Sequence, residues 1–453
     1  MIERGLLVLG LLALLGAGIG VVVTYDDQAP RDVTSSSPAR VTSSEDPGRR
    51  LQRVESRAGP ATAAVDVDPD DRRQEWRGTG AALTDASVTL LSQASDGLGL
   101  LFDPQDERGA RLTWVRLPLT ATDMSPTPWT WGWDGRVASL SPQARASASM
   151  VREIAELRSE VQVVATPWSA PVWMKEPRGI RGGALLDDQV AEYAAMLVAQ
   201  TEALRASDVP LAALTLGNEP GFSTDYPSMT MTDEQQVELA DRVAPGLSGE
   251  VELWAVDHNW ADRTSYDAIL RGAPRDFDAA AFHCYEGRPD QMRGLPVPPL
   301  VTECTGTTSS WAEAFRWDAR NLVERSIAAG STGLLMWNLA VDPRGGPRDE
   351  TSSVGCANCR GLLRVDGDDV RPGPEFYVLA HLQRAAEPGA RVLAVEATPG
   401  VSAAAFANPG GTIGVFAHNG TGADQVVALT VPGRQDLRYD VRAGELLSVQ
   451  ARG

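Results

Sequence analysis

Lysine is almost absent from this chain. Lys175 is the only lysine among 41 basic side chains, and 60 acidic residues give the 453-residue protein a formal net charge of -19. Nucleic-acid binding relies on clustered Lys and Arg that neutralise phosphates, so this composition argues against a nucleic-acid partner. A neutral or cationic soluble ligand is compatible with the charge.

Histidine is also scarce. The chain has four histidines, none of them paired in the sequence, whereas a metallohydrolase needs His and carboxylate ligands in a cluster. We therefore expect no metal and no other cofactor.

Long apolar runs are limited to the N-terminus, where residues 6–23 follow Arg4 and precede Asp26 and Asp27. The run is slightly long for the core of a cleaved signal and slightly short for a spanning helix. Residues 1–25 are therefore predicted to be a signal peptide or an N-terminal membrane anchor, with residues 6–23 as the membrane segment. The protein is expected to be extracellular, either secreted or anchored to the outer face of the cytoplasmic membrane.

Only four cysteines are present, and disulfides are plausible in an exported protein. Cys356 and Cys359 form a Cys-x-x-Cys pair in a glycine-rich loop without a nearby histidine, which favours a local disulfide over metal or redox chemistry. For Cys284 and Cys304, at adjacent predicted strand ends, free buried thiols are favoured over a disulfide.

The rest of the chain divides by composition. Residues 26–60 are rich in Ser, Thr, Pro, Asp and Arg, which is typical of a disordered linker, so deletion of residues 1–60 is expected to leave a folded protein. Residues 61–77 contain an alternating pattern that predicts a strand. Residues 374–453 alternate in the same way between Gly and Pro turns and predict a β-sandwich, which the early strand joins.

Between these segments, residues 78–373 alternate short apolar runs with helical patterns, as in a parallel βαβ series. Helical patterns cover residues 142–157, 187–205 and 313–329. Eight strands are predicted, at residues 79–82, 112–117, 161–166, 213–217, 251–256, 279–282, 300–302 and 333–336. The predicted fold class is α/β, a (β/α)8 TIM barrel with a C-terminal β-sandwich domain, although a doubly wound sheet with extra strands would give the same count.

Two glutamates, Glu219 and Glu303, each follow a predicted strand. Side chains in that position point into the mouth of a barrel, where barrel enzymes have their active sites. A retaining glycosidase needs a proton donor and a nucleophile about 5 to 5.5 Å apart. The two residues therefore predict a retaining glycosidase, with a salt-bridged barrel rim as the alternative.

Other polar and aromatic residues follow the same strands and are predicted to bind substrate. Trp168 and Trp337 are favoured as sugar-stacking platforms over core aromatics, because twelve Trp against eight Phe is an unusual ratio. His283 is either a core histidine or a hydrogen-bonding partner of a sugar or carboxylate. The predicted substrate-binding set is Asp123, Trp168, Asn218, His283, Tyr285, Trp337 and Asn338.

Several segments together resemble glycoside hydrolase family 30, which includes lysosomal glucosylceramidase and bacterial β-1,6-glucanases. The resemblance runs from about residue 65 to the C-terminus. The segments are 80–85 (GAALTD), 116–123 (RLPLTATD), 165–175 (ATPWSAPVWMK), 217–220 (GNEP), 281–285 (AFHCY), 302–304 (TEC), 337–347 (WNLAVDPRGGP) and 376–381 (FYVLAH).

The resemblance implies that Glu219 is the acid/base, that Glu303 is the nucleophile and that Asn218 bonds the sugar 2-hydroxyl. It further implies a sugar pocket at subsite -1 walled by Asp123, Trp168 and Trp337, with His283 and Tyr285 near the nucleophile. The chain departs from glucosylceramidases at Cys284, where they tend to carry an aromatic residue.

The sequence thus predicts a retaining β-glycosidase of glucosylceramidase type that acts on β-D-glucosides in a carbohydrate or glycolipid. Alternatives within the family are an endo-β-1,6-glucanase and a β-xylosidase or xylanase. A carbohydrate-binding cell-surface protein is the non-enzyme alternative. Such a protein should lack one of the two glutamates, and both are present.

Overall fold

A computed structural model describes residues 39–356, 358–434 and 436–451. Eight parallel strands close into a barrel, which confirms the predicted fold class. We number these strands β1 to β8 in chain order. Their bounds are Gly78–Ala82, Trp114–Pro118, Gln162–Thr166, Leu211–Thr215, Glu252–Asn259, Ala279–His283, Pro299–Glu303 and Gly333–Met336.

Helices alternate with the barrel strands, and some of them begin at a side-chain cap. In Pro142–Leu157, the Ser141 side chain accepts a hydrogen bond from the Ala144 N–H, and Pro142 occupies the first turn. The other α-helices are Asp85–Leu91, Gly97–Phe102, Val190–Arg205, Asp233–Val243, Arg263–Gly272, Trp311–Asp318, Ser326–Ala328 and Pro374–Ala385. A π-helical turn, Ala319–Arg325, continues Trp311–Asp318.

A nine-stranded sheet forms the second part of the fold. In spatial order its strands are Gln52–Val54, Ala39–Thr42, Leu446–Ala451, Ile413–Asn419, Val401–Ala407, Arg391–Ala397, Ala63–Glu75, Gln425–Thr430 and Leu437–Val441. Val41 and Tyr439, from near opposite ends of this order, belong to one apolar core. The sheet therefore curls over on itself as a sandwich does.

The linker prediction is wrong for its second half. Residues Ala39–Thr42 pair with Leu446–Ala451, and Ala39, Val41 and Thr42 are buried. The segment is short and surrounded by polar residues, so its composition concealed a strand that only the sheet completes. Deletion of residues 1–60 would remove this strand, so the shortened protein is expected to be less stable than the full chain.

The sandwich also begins later than predicted. Residues Pro374–Ala385 form a helix, in which Phe376 and Leu382 are fully buried. The helix packs against β1 of the barrel and against the sheet strands Ile413–Asn419 and Leu446–Ala451. Because the helix lies between the barrel and the sheet, it is buried on all of its faces, and this explains why apolar residues surround its axis.

Both cysteine pairs form disulfides. The prediction of free thiols at Cys284 and Cys304 is wrong, because the ends of β6 and β7 bring their Cα atoms to 5.3 Å and the two sulfurs are bonded. Cys356 and Cys359 are also joined, with Cα atoms 5.3 Å apart.

Within the described part of the chain, no helix is both long and apolar enough to cross a membrane. The apolar run at residues 6–23 lies outside the described residues, and its role as a signal or an anchor stays a prediction.

The early strands add a buried ion pair to the sheet. Arg49 donates two hydrogen bonds to the Glu445 carboxylate, at 2.6 and 3.0 Å, and the Glu445 side chain is fully buried. We expect Arg49→Met to lower the free energy of unfolding by about 3 kcal/mol, because it leaves a buried carboxylate without its cation. Urea unfolding checks this.

Arg53→Met is the matched control, since Arg53 is 66% exposed and its pair with Glu107 lies in solvent. That variant should change the free energy of unfolding by less than about 0.5 kcal/mol. Equal effects of the two substitutions would show that the pair with Glu445 contributes nothing specific.

Candidate active site

A cavity of about 510 Å³ opens at the C-terminal ends of the barrel strands. This is the end at which barrel enzymes bind substrate. Seven of the nine predicted catalytic and substrate-binding residues line it: Asp123, Trp168, Asn218, Glu219, Tyr285, Glu303 and Trp337.

The two glutamates face each other across this cavity. One carboxylate oxygen of Glu219 and one of Glu303 lie within 4.8 Å of each other. Inverting glycosidases hold their carboxyl groups about 6.5 to 9.5 Å apart, and retaining ones about 5 to 5.5 Å. The separation fits double displacement, since it leaves too little room for a water molecule between the carboxylate and a sugar.

Backbone geometry contributes to the position of Glu219. Its φ angle is 47°, in the left-handed region that side chains other than glycine rarely adopt. The Glu219 N–H donates to the Asp257 carbonyl at 3.0 Å, which ties the end of β4 to β5. Such a conformation persists only where surrounding contacts hold it, as is common at active sites.

Glu303 accepts hydrogen bonds from two side chains. The Tyr285 hydroxyl donates to Glu303 Oε1 at 2.8 Å, and the fully buried Arg116 guanidinium donates to Glu303 Oε2. Arg116 also donates to Asn218 Oδ1 at 2.7 Å. One cation therefore orients both the proposed nucleophile and the residue beside the proposed acid.

His283 lies beneath the two glutamates. Its Nδ1 is 2.9 Å from Glu219 Oε1, and its Nε2 is 3.1 Å from Asp257 Oδ1. Burial alone would lower the pKa of His283, but the Glu303 charge and the hydrogen bonds to Asp257 and Glu219 raise it to about 10. Burial likewise acts to raise the pKa of Glu219, yet the hydrogen bond and charge of His283 outweigh it and lower that pKa. Near neutral pH the hydrogen-bonded pair of His283 and Glu219 therefore holds one proton, mainly on the imidazole.

Asp257 lies at the centre of this arrangement. Its carboxylate accepts from Arg116 at 2.9 Å, and from hydroxyls of three strands: Thr302 at 2.6 Å, Thr215 at 3.0 Å and Thr166 at 3.3 Å. Burial favours the neutral acid, but the Arg116 charge and the His283 hydrogen bond hold the pKa of Asp257 well below its usual range. Asp257 is therefore an anion fully enclosed by donors.

The sequence did not single out Asp257 or Arg116 as site residues. Asp257 points into the barrel because β5 contains a bulge: its register shifts between Val256 and His258, and φ is 65° at Val256 and 63° at Asp257. Strand periodicity cannot reveal a bulge. The available signal was a charged residue in an apolar stretch: Asp257 directly follows the apolar residues 253–256, and Arg116 lies within the otherwise apolar β2.

Two predicted substrate-binding residues do not line the cavity among the residues described. His283 is covered by the glutamates and bonds carboxylates rather than a sugar. Asn338 is fully buried behind Trp337, where its Oδ1 accepts from the Ser87 hydroxyl at 2.9 Å. The chain turns after β8, so that the Trp337 side chain faces the cavity and the Asn338 side chain faces the helix Asp85–Leu91.

One wall of the cavity is aromatic. The rings of Trp168 and Trp337 lie 5.3 Å apart between centroids, and both are 3% exposed. The Arg116 guanidinium lies 4.6 Å from the Trp168 ring. The two indoles form a rigid apolar surface of the kind on which the face of a sugar ring stacks.

The loop that carries the Cys356–Cys359 disulfide packs against this aromatic wall, because both cysteines belong to the apolar cluster that contains Trp168 and Trp337. The Cys356 N–H donates to Asp123 Oδ2 at 3.1 Å. Arg181 holds the loop through Asp349 at 2.6 Å, and Asp225 accepts from the Ser353 N–H at 2.7 Å. These contacts fix the loop against Asp123.

Comparison with known proteins agrees with this geometry. A family model, the glycosyl hydrolase family 30 TIM-barrel domain, matches residues 76–258. An endo-1,6-β-D-glucanase of Trichoderma harzianum is 28% identical over 83% of this chain and 84% of its own length. Residues 76–258 therefore carry the TIM-barrel domain of glycoside hydrolase family 30.

Similarities at lower identity also extend over most of the chain. Mouse lysosomal acid glucosylceramidase is 24% identical over 85% of this chain and 84% of its own length. A solved structure described as an endo-β1,6-glucanase superposes with a TM-score of 0.84 and 23% identity, over 92% of this chain and 99% of its own. The protein is an O-glycosyl hydrolase with the family 30 fold.

One cluster in this family 30 site has the composition of a metal site. Glu219, His283 and Glu303 each offer a ligand atom, and these atoms lie within 4.8 Å of one another. A metal ligand histidine must be neutral at the coordinating nitrogen. His283 is protonated, with each ring nitrogen directed at a carboxylate, so the cluster is poorly suited to a metal ion.

The family 30 site should show a measurable pH effect through Asp123. Burial, with the charges of Glu303 and Glu219, raises the pKa of Asp123 to about 7. The unfolded chain has an ordinary aspartate, with a pKa of about 3.9. Between these values the folded state binds more protons, so the contribution of Asp123 to stability is present at acidic pH and is lost as pH rises towards 7.

Asp123→Asn removes this titration. We expect the free energy of unfolding of the variant minus that of the wild type to rise between pH 5 and pH 7, by up to about 1.4 kcal/mol per pH unit. Urea unfolding at several pH values measures it, and titratable groups remote from Asp123 cancel in the difference. Parallel curves would show that Asp123 has an ordinary pKa.

Proposed function

We propose that this family 30 enzyme is a retaining endo-β-1,6-glucanase that acts through a covalent glycosyl-enzyme intermediate. The substrate is supported by its relatives: endo-1,6-β-D-glucanases of three fungi match with higher identity than the glucosylceramidases do. The glucosylceramidase type, which the sequence alone favoured, has weaker support. The observation that carries the retaining mechanism is that one carboxylate oxygen of Glu219 lies within 4.8 Å of one of Glu303.

In the first step Glu303 attacks the anomeric carbon and Glu219 gives a proton to the departing oxygen of the glucan. Tyr285 and Arg116 keep the Glu303 carboxylate in line through their hydrogen bonds. To Asn218, whose Oδ1 accepts a hydrogen bond from Arg116, we assign the contact with the sugar 2-hydroxyl. Because Glu219 and His283 are hydrogen-bonded, the proton on the imidazole can be passed to Glu219 without reaching solvent.

In the second step water attacks the glycosyl-enzyme and Glu219 accepts its proton. Glu303 is then an ester and carries no charge, so one anion has left the neighbourhood of Glu219. An ionised Glu219 becomes easier to maintain, as a general base requires. Attack regenerates the Glu303 carboxylate and releases the sugar with its original anomeric configuration.

The substrate assignment is tested with four polymers and glycosides: a linear β-1,6-glucan, xylan, glucosylceramide and an aryl β-glucoside. We expect β-1,6-linked oligosaccharides from the glucan, several-fold faster turnover of that polymer than of glucosylceramide, and no products from xylan. Chromatography of the products checks this. Hydrolysis of glucosylceramide alone would return the assignment to the glucosylceramidase type.

The roles of the two glutamates are tested with azide. Glu219→Ala should still form the glycosyl-enzyme from a dinitrophenyl β-glucoside, because this leaving group departs without protonation. Azide should then attack the intermediate and give the β-glucosyl azide. Glu303→Gly should be inactive until azide occupies the vacated space and gives the α-glucosyl azide.

The anomers are distinguished by proton NMR. Reversed anomers would mean that the two roles are exchanged, and the same leaving-group dependence in both variants would argue against double displacement. Glu286→Ala is a suitable control, since this glutamate also lines the cavity and has no role in the proposed chemistry.

A further inference from the structure

A second cavity, of about 570 Å³, lies beside the active site. The loop after β7, the helix Trp311–Asp318 and the first turn of the helix Pro374–Ala385 form its walls. Tyr285 lines both this cavity and the catalytic one. A chain that leaves the catalytic cavity past Tyr285 therefore enters the second cavity.

The second cavity carries two exposed aromatic side chains. Tyr285 is 45% exposed, and Trp317, on the helix Trp311–Asp318, is 42% exposed. A tryptophan normally buries most of its large apolar surface. Two aromatic faces at the rim of a cavity next to a glycosidase site are suited to stacking on sugar rings.

The floor of the cavity holds a carboxyl group without a partner. Asp318 is 3% exposed, and its buried Oδ2 has no hydrogen-bond partner among the described residues. Burial, followed by the Glu375 charge, raises the pKa of Asp318 well above its usual value. Burial thus favours the neutral acid, which can donate and accept a hydrogen bond, as a sugar hydroxyl requires.

The charged groups around Asp318 are largely balanced. Glu375 is paired with Arg360, which donates to it at 3.1 Å through Nε. Glu313 accepts from the Thr308 hydroxyl at 2.7 Å. Arg316 and Arg320 also line the cavity. The wall thus offers donors and acceptors without an excess of negative charge, which suits a ligand rich in hydroxyl groups better than a cation.

We propose that this cavity is a distal subsite that binds further glucosyl units of the β-1,6-glucan chain, with Trp317 as the stacking platform and Asp318 as a hydroxyl partner. The subsite rests on the proposed function, because it needs an oligomeric glucan as substrate. It explains how an enzyme with one small catalytic pocket can hold a polymer.

The test compares substrates of increasing length: an aryl β-glucoside and β-1,6-linked gluco-oligosaccharides of two to six units. For the wild type, kcat/KM should rise with length. Trp317→Ala should lower kcat/KM for the six-unit substrate about five- to tenfold through KM, with kcat unchanged, because stacking acts equally on the ground state and the transition state. The aryl glucoside should be hydrolysed at the wild-type rate.

Two further variants separate stacking from a structural effect. Trp317→Phe keeps an aromatic face. On a logarithmic scale, its kcat/KM should therefore recover at least half of the loss caused by Trp317→Ala. Trp173→Ala is the matched control, because Trp173 is 39% exposed and lines neither of the two cavities. Thermal unfolding of each variant should stay within about 2 °C of the wild type, as expected for substitutions at exposed positions.

The outcomes distinguish the two proposals. If the wild type hydrolyses the aryl glucoside and none of the β-1,6-linked oligosaccharides, both the substrate assignment and the subsite are wrong. If the wild type prefers longer oligosaccharides and Trp317→Ala keeps the same preference, the substrate assignment stands and the subsite is overturned. An equal loss on the aryl glucoside would also overturn it.

Discussion

The site depends on one buried ion cluster, in which Asp257 contacts both Arg116 and His283. All three side chains are fully buried. Charges in that position are stable only when each is paired and hydrogen-bonded, and removal of one partner costs about 3 to 5 kcal/mol. The barrel meets this requirement with threonines from three strands. These contacts fix the side-chain positions of Arg116 and His283. Arg116 in turn orients Glu303, and His283 orients Glu219.

The net charge of this cluster explains why the neighbouring Asp123 is protonated at acidic pH. Glu219, Glu303 and Asp257 bring three anions to the centre of the barrel, and Arg116 and the protonated His283 bring two cations. A negative excess remains beside Asp123, which adds to burial and keeps that carboxyl protonated over much of the acidic range. A further carboxylate could not be ionised there without an additional cation.

The only lysine of the chain supports the rim of the same cavity. Lys175 is fully buried, and its Nζ donates to the Ser169 hydroxyl at 2.7 Å, the Ile180 carbonyl at 3.0 Å and the Ser228 carbonyl at 2.7 Å. Burial lowers its pKa to about 8. The ammonium group joins the loops that follow β3 and β4, which carry Trp168 and Glu219. A compact cation with three donors fits this place, and a planar guanidinium would not.

The sequence by itself determined the barrel and the residues at its mouth. The eight strands were visible because each is a short apolar run buried on both faces, and strand-end position was enough to select Glu219, Glu303 and Trp337. What the tertiary structure decided were features that arise only when distant segments meet. Ala39–Thr42 is a strand only beside Leu446–Ala451, Cys284 and Cys304 pair because β6 and β7 are neighbours, and Asp257 turns inward at a bulge that has no periodic signature. Hydrophobic periodicity records which face of an element is buried, whereas pairing, charge compensation and cavity walls are properties of several elements together.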